Sequence, residues 1–175
     1  ASSSAASDVY KRQDILHRAI SKGDYTSKKV SETFSPSMDI QLASNFERLI
    51  FEIQGCNSDK TKNIMAKVKE NNYKLDETSL NKINKDFLSE KLNEDETINE
   101  IKEVFKNHSI VLDPHTAIGY GVAKKLKQDN NCVILSTAHP SKFPEAIKNA
   151  LGKNEELPLE SVSYTHLRAH ETCPY

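Results

Sequence analysis

The chain reads as α/β, a parallel sheet made of strand–helix units with a helical insertion ahead of them. Three observations predict this. Two short apolar runs, Ser109-Ile-Val-Leu112 and Cys132-Val-Ile-Leu135, have the length and composition of strands buried on both faces. Each run is followed by a turn and then a helical pattern, so residues 109–151 carry the strand–helix–strand–helix order of a right-handed crossover. Upstream, residues 57–107 are rich in lysine, glutamate and asparagine, lack glycine and proline, and hold only thin apolar stripes.

The elements follow in order. Residues 14–21 place Ile15, Leu16, Ala19 and Ile20 on one helical stripe, and Gly23-Asp24 stops it. Residues 25–34 read as an extended or loop segment anchored by Tyr25, Val30 and Phe34. Ser35-Pro-Ser-Met-Asp39 is an irregular connection, because the residue before a proline avoids the helical region. From Ile40 a further amphipathic helix carries Leu42, Phe46, Leu49, Ile50 and Ile53, with Ser44, Asn45 and Arg48 off that stripe near its amino end; Gly55-Cys-Asn-Ser58 closes it.

Three short helices fit residues 57–107. They run over 61–71 (Ile64, Met65, Val68), 78–92 (Leu80, Ile83, Phe87, Leu88, Leu92) and 96–107 (Ile98, Ile101, Val104, Phe105), with Asn93 or Asp95 as cap of the third. Their charges read as solvated faces, and the segment as an insertion with no chemistry of its own. Asp113-Pro114 then opens a helix with a capping carboxylate and proline at the first helical position. The second run leads through Ser136-Thr-Ala-His139 and two prolines into a last helix on Phe143, Ala146, Ile147, Ala150 and Leu151.

Composition limits the function. The 175 residues suit one domain or a piece of a larger one, with 37% hydrophobic and 28% charged residues. No apolar run approaches membrane-spanning length, and no signal-peptide pattern is present. A formal net charge of −1 offers no basic surface, so neither nucleic acid nor a membrane is expected as a partner. Cys56, Cys132 and Cys173 form no even framework and no CxxC, which points to a reducing compartment, the cytoplasm.

The two ends stand apart. Ser3 to Gln13 resembles the in-frame translation of a transposase sequencing adaptor, and Val162 to Thr172 the reverse complement of its partner. Residues 1–13 and 161–175 are therefore expected to be adaptor-derived and disordered. The remainder divides into 14–56, the insertion 57–107 and a terminal α/β unit at 108–160. On this reading His166, His170 and Cys173, spaced i, i+4, i+7, are a decoy, and no metal site is expected.

Chemistry is expected at two strand-to-helix corners, Asp113-Pro-His-Thr116 and Ser136-Thr-Ala-His139, on one edge of the sheet. Each presents a hydroxyl and a histidine. Each is equally an ordinary turn, and Asp113 reads first as a helix cap. Together the corners would form a polar rim at two helix amino ends, suited to an anionic or heteroaromatic ligand. Cys132 reads as a buried strand residue, and Cys56 has no evident basic partner. No nucleophile elbow, Walker loop, Rossmann glycine pattern or metal-ligand pair occurs in residues 14–160.

Several stretches resemble the carboxyl-terminal portion of the threonine synthase family. They are Asp14-Ile-Leu-His-Arg18 with Gly23-Asp-Tyr25, Thr33-Phe-Ser-Pro-Ser-Met-Asp-Ile40 with Ala43-Ser-Asn-Phe-Glu-Arg-Leu49, Leu112-Asp-Pro-His-Thr-Ala-Ile-Gly119, and Ser136-Thr-Ala-His-Pro-Ser-Lys-Phe-Pro144. The resemblance covers residues 14–160 and neither end. It implies the C-terminal part of a fold type II pyridoxal 5'-phosphate (PLP) enzyme that turns O-phospho-L-homoserine and water into L-threonine and phosphate.

By the same resemblance Thr137 faces the pyridine nitrogen of the cofactor. A hydroxyl there does not require a protonated ring, which moderates the electron sink. Ser44, Asn45, Arg48, His115, Thr116 and His139 are expected to line the pocket or support it. The family's Schiff-base lysine and phosphate-binding loop belong upstream. Lys142 matches no such motif, so the chain as written is expected to be inactive. Two alternatives stay open: another fold type II lyase or dehydratase, and a stand-alone helical binding module on residues 57–107.

Overall fold

The computed structural model describes residues 14–27, 42–70, 73–126, 132–136 and 138–152. Among them seven α-helices form in chain order: α1 (Ile15–Lys22), α2 (Phe46–Ile53), α3 (Ser58–Lys69), α4 (Glu77–Asp86), α5 (Glu94–His108), α6 (Pro114–Lys125) and α7 (Pro144–Leu151). A 3-10 turn, Pro140–Lys142, precedes α7.

Local chemistry accounts for where the helices begin and end. Gly23 closes α1 in the left-handed region at φ 69, its N–H donating to the Ala19 carbonyl while that of Asp24 reaches Arg18. A Cβ there would come within 3.0 Å of the Leu75 carbonyl oxygen, so neighbour and backbone both require glycine. The side chains of Asn57 and Asp76 accept from the third residue of α3 and α4. A capping box starts α5: Asn93 Oδ1 accepts from the Glu96 N–H at 2.9 Å, and Glu96 Oε2 accepts from the Asn93 N–H at 2.6 Å.

Among the described residues the helices bury their apolar faces in two larger cores and one small cluster. Ile15, Ala19, Ile20, Phe46, Ile50, Met65, Val68 and Ile83 draw α1, α2, α3 and α4 into one core. Ile101, Ala117, Ile147 and Ala150 join α5, α6 and α7 in another. Tyr25 is fully buried in the first; its hydroxyl donates to the Ala43 carbonyl at 3.1 Å and accepts from the Ala43 N–H at 3.2 Å. That pair ties the end of α1 to the start of α2.

Neither expected strand forms. Ser109 is instead the left-handed C-cap of α5 at φ 58, and Ile110 is 55% exposed. Residues 132–136 carry no secondary structure, Cys132 is exposed rather than buried, and Val133 and Leu135 are 87% and 77% exposed. A strand needs neighbours for its backbone donors and acceptors. Among the described residues no strand lies beside these runs, so Ile110, Val133 and Leu135 stay open to water, while Val111 and Leu112 pack partly against the α5–α7 core. The sheet of the expected α/β architecture is thus absent among the described residues, and the helices that would flank it are present.

The helix expected over 78–92 also ends early, at Asp86, with Phe87 extended at φ −123, ψ 132. Leu92 instead packs away from the first core, in a small third cluster with Ile118 and Val122 of α6. Extended backbone covers over twice the distance per residue of a helix, and residues 87–93 use it to pass between the cores. The helix expected from Ile40 is described only from Phe46, and Leu42 is exposed.

Candidate functional site

The Asp113 corner is built from the backbone upward. Asp113 is 1% exposed, and its Oδ1 accepts from the N–H groups of His115 at 3.0 Å and Thr116 at 3.3 Å. Its Oδ2 accepts from the Thr116 hydroxyl. These bonds make Asp113 the cap of α6, with Pro114 filling the first position where no N–H is needed. The expected anion site at this helix end is therefore corrected: Asp113 already occupies the donors that a ligand would use.

The second corner meets the first through an aromatic contact. Phe143 stands edge-on to the buried His115 ring, with centroids 4.8 Å apart at 86°. His139 caps the 3-10 turn; its Nδ1 lies 2.6 Å from the Ser141 hydroxyl and 3.3 Å from the Ser141 nitrogen. His139 is half-buried, Ser136 is exposed, and Thr137 lies outside the described residues. So do His166, His170 and Cys173.

Ser44, Asn45 and Arg48 gather elsewhere, on the exposed amino end of α2. Ser44 and Arg48 line two clefts. One, of about 940 Å³, lies between α2 and α3 and is also lined by Glu47, Phe51, Lys62 and Met65. The other, of about 550 Å³, lies between α1 and α2, where Asn45, Leu16, Ile20 and Phe87 join them. His115, Thr116 and His139 line neither, so the described residues group the expected site residues into two clusters rather than one.

A buried polar network escaped the sequence reading. Arg18, 5% exposed, donates through Nε to Asp14 at 2.8 Å, through Nη1 to Asp24 at 2.6 Å and through Nη2 to the Thr26 carbonyl at 2.7 Å. Lys91 donates to the other Asp14 oxygen at 2.8 Å. Burial alone would raise the Asp14 carboxyl, but the bonds from Lys91 and Arg18 outweigh it and hold it below its ordinary value. Asp24 is likewise held low, burial being outweighed by bonds from Thr26 and Arg18. The Asp14–Arg18 spacing of four was a legible signal for one bond of this network.

Comparison with known proteins places the chain. The family described as "Threonine synthase, C-terminal" matches residues 116–170, a span that runs past Glu160 into the stretch read as adaptor. Threonine synthase of Pseudomonas aeruginosa is 36% identical over 151 residues, covering 84% of this chain and 32% of that one. That of Saccharomyces cerevisiae is 38% identical over 158 residues, covering 79% and 31%. Among solved structures, PLP-bound threonine synthase from Brucella melitensis superposes with a TM-score of 0.79 at 40% identity, over 85% of this chain and 32% of that one. The chain spans about a third of the length of these relatives.

Proposed function

The chain belongs to the threonine synthase family, and on that premise we propose that it forms the C-terminal part of a cytoplasmic PLP enzyme that makes L-threonine and phosphate from O-phospho-L-homoserine and water. The observation that carries this is its likeness, over 85% of its residues, to a threonine synthase with PLP bound. PLP when bound supplies the electron sink for the elimination.

The residues described fit one edge of that cofactor. Small and polar groups at Ser136, Ala138 and His139 flank Thr137, which would hold the ring nitrogen, and the His115–Phe143 pair backs the corner. The donors of α6 are taken by Asp113, so the cofactor phosphate would be held by groups other than the α6 amino end. Ser44, Asn45 and Arg48 would line the cleft from the α2 side. The runs 109–112 and 132–135, which leave Ile110, Val133 and Leu135 exposed, would become strands on pairing with the rest of the sheet. Their exposure supports this, because a soluble chain rarely leaves side chains such as Val133 and Leu135 in water without a partner surface. The binding-module alternative is disfavoured: the helices of residues 57–107 bury their faces in two different cores, each shared with residues outside the segment.

A chimera tests the proposal. Residues 14–160 of this chain replace the matching third of the P. aeruginosa enzyme, and phosphate release from O-phospho-L-homoserine is measured. Activity with a cofactor absorbance band at roughly 400–430 nm is expected, and Thr137→Ala should weaken both. A folded chimera that binds no PLP would refute it.

A further inference from the structure

The main helix–helix packings among the described residues pair α5 with α6 and α7, α1 with α4, and α2 with α3 and α4. None of these main packings crosses from the α1–α4 group to the α5–α7 group. What does cross is the extended segment 87–93, held on both sides. Toward the first group, Lys91 Nζ donates to Asp14 at 2.8 Å and the Ser89 hydroxyl lies 3.1 Å from His17 Nδ1, both partners being at α1. Toward the second, Lys125 Nζ donates to the Lys91 carbonyl at 2.7 Å, and Leu92 fills the space that a Cβ on Gly121 would need.

We propose that residues 87–93 are a latched joint between two helical bodies, with the Asp14–Lys91 ion pair and the His17–Ser89 contact as its latch and Leu92 as its fixed end. The geometry separates the two roles. Leu92 is 1% exposed and bound by packing to α6, so the segment travels with the second body. Phe87 anchors the start of the segment on the first core, and beyond it the hold on the first body is polar and sits at the rim, since the Lys91 side chain is 32% exposed. Polar contacts at a rim break and reform more readily than a packed leucine does, because water replaces the lost partner. Arg18 makes the latch separable from the fold: without Lys91, Asp14 keeps its Arg18 bond, and without the Asp14 carboxylate Arg18 keeps Asp24 and the Thr26 carbonyl. Opening the joint moves the corner at Ser136 and His139 relative to the clefts that Ser44 and Arg48 line.

Spin labels on Cys56, exposed beyond α2, and on a cysteine replacing exposed Lys102 of α5 report the distance between the bodies, with Cys132 and Cys173 changed to serine. The parent should give one distance population. Asp14→Asn and Lys91→Met should each raise an open population by about tenfold, seen as a second, longer distance. If Asp14→Asn fails to fold, Lys91→Met, altered at the rim alone, carries the test. A single unchanged distance in the folded variants overturns the proposal, as does a parent that already shows the open population at the variants' level.

Discussion

Replacing Asp113 by alanine removes three acceptor contacts at once: those to the His115 and Thr116 N–H groups and that to the Thr116 hydroxyl. Loss of a helix cap costs about 0.5–2 kcal/mol, with the larger values expected where water cannot replace the acceptor. Asp113 is 1% exposed, so the upper part of that range applies and a loss of about 2 kcal/mol is expected. For a chain of this size that lowers Tm by about 4–8 °C. Asp113→Asn keeps a carbonyl oxygen for the two N–H groups, and the Thr116 hydroxyl can turn to accept from the new amide, so its loss should stay near 0.5–1 kcal/mol, roughly half that of alanine. Urea unfolding of the three proteins, followed by far-ultraviolet circular dichroism, measures both. Alanine and asparagine variants of equal stability would refute the capping account and assign the carboxylate a role in its charge.

Other outcomes follow from the same geometry. Gly121→Ala should destabilise by about 1–3 kcal/mol through overpacking against Leu92, and Leu92→Ala should make the second change cheaper than additivity predicts, a coupling that a double-mutant cycle reads. Tyr25→Phe removes both bonds to Ala43 in a fully buried setting, with an expected loss of about 1–3 kcal/mol in chemical denaturation. The low-held carboxyls of Asp14 and Asp24 contribute stability that is present above their ordinary value of 3.8 and is lost as pH falls through their lower folded values. Arg18→Met should shrink this acid-dependent loss in thermal melts taken at stepped pH, and an unchanged acid limb would count against the network.

Much of the helical scaffold was legible because its determinants lie within one turn. Gly23 after α1, Asn93 (one of two offered caps) before α5 and Asp113-Pro114 before α6 each act over two to five residues, and each is found at work. The end of α4 was not legible. Leu88 and Leu92 continue its stripe, yet Leu92 belongs to a core shared with α6, and only that packing shows where the helix must stop. The candidate site was legible in part. Asp113 was recognisable as a cap, whereas the contact of His115 with Phe143, 28 residues on, depends on how α6 and α7 pack.

The chain by itself determined where its helices start and stop at capped ends, the family it belongs to, and which corners could carry chemistry. Tertiary structure alone decided that Arg18 and Lys91 meet over Asp14 across a separation of 77 residues, that Ser44, Asn45 and Arg48 lie at clefts which His115, Thr116 and His139 do not line, and that the runs at 109–112 and 132–135 have no strand partner among the described residues. The division has one cause. A cap or a turn is satisfied by atoms a few residues away, while an ion pair, a cleft or a strand exists only when a distant partner arrives to satisfy it.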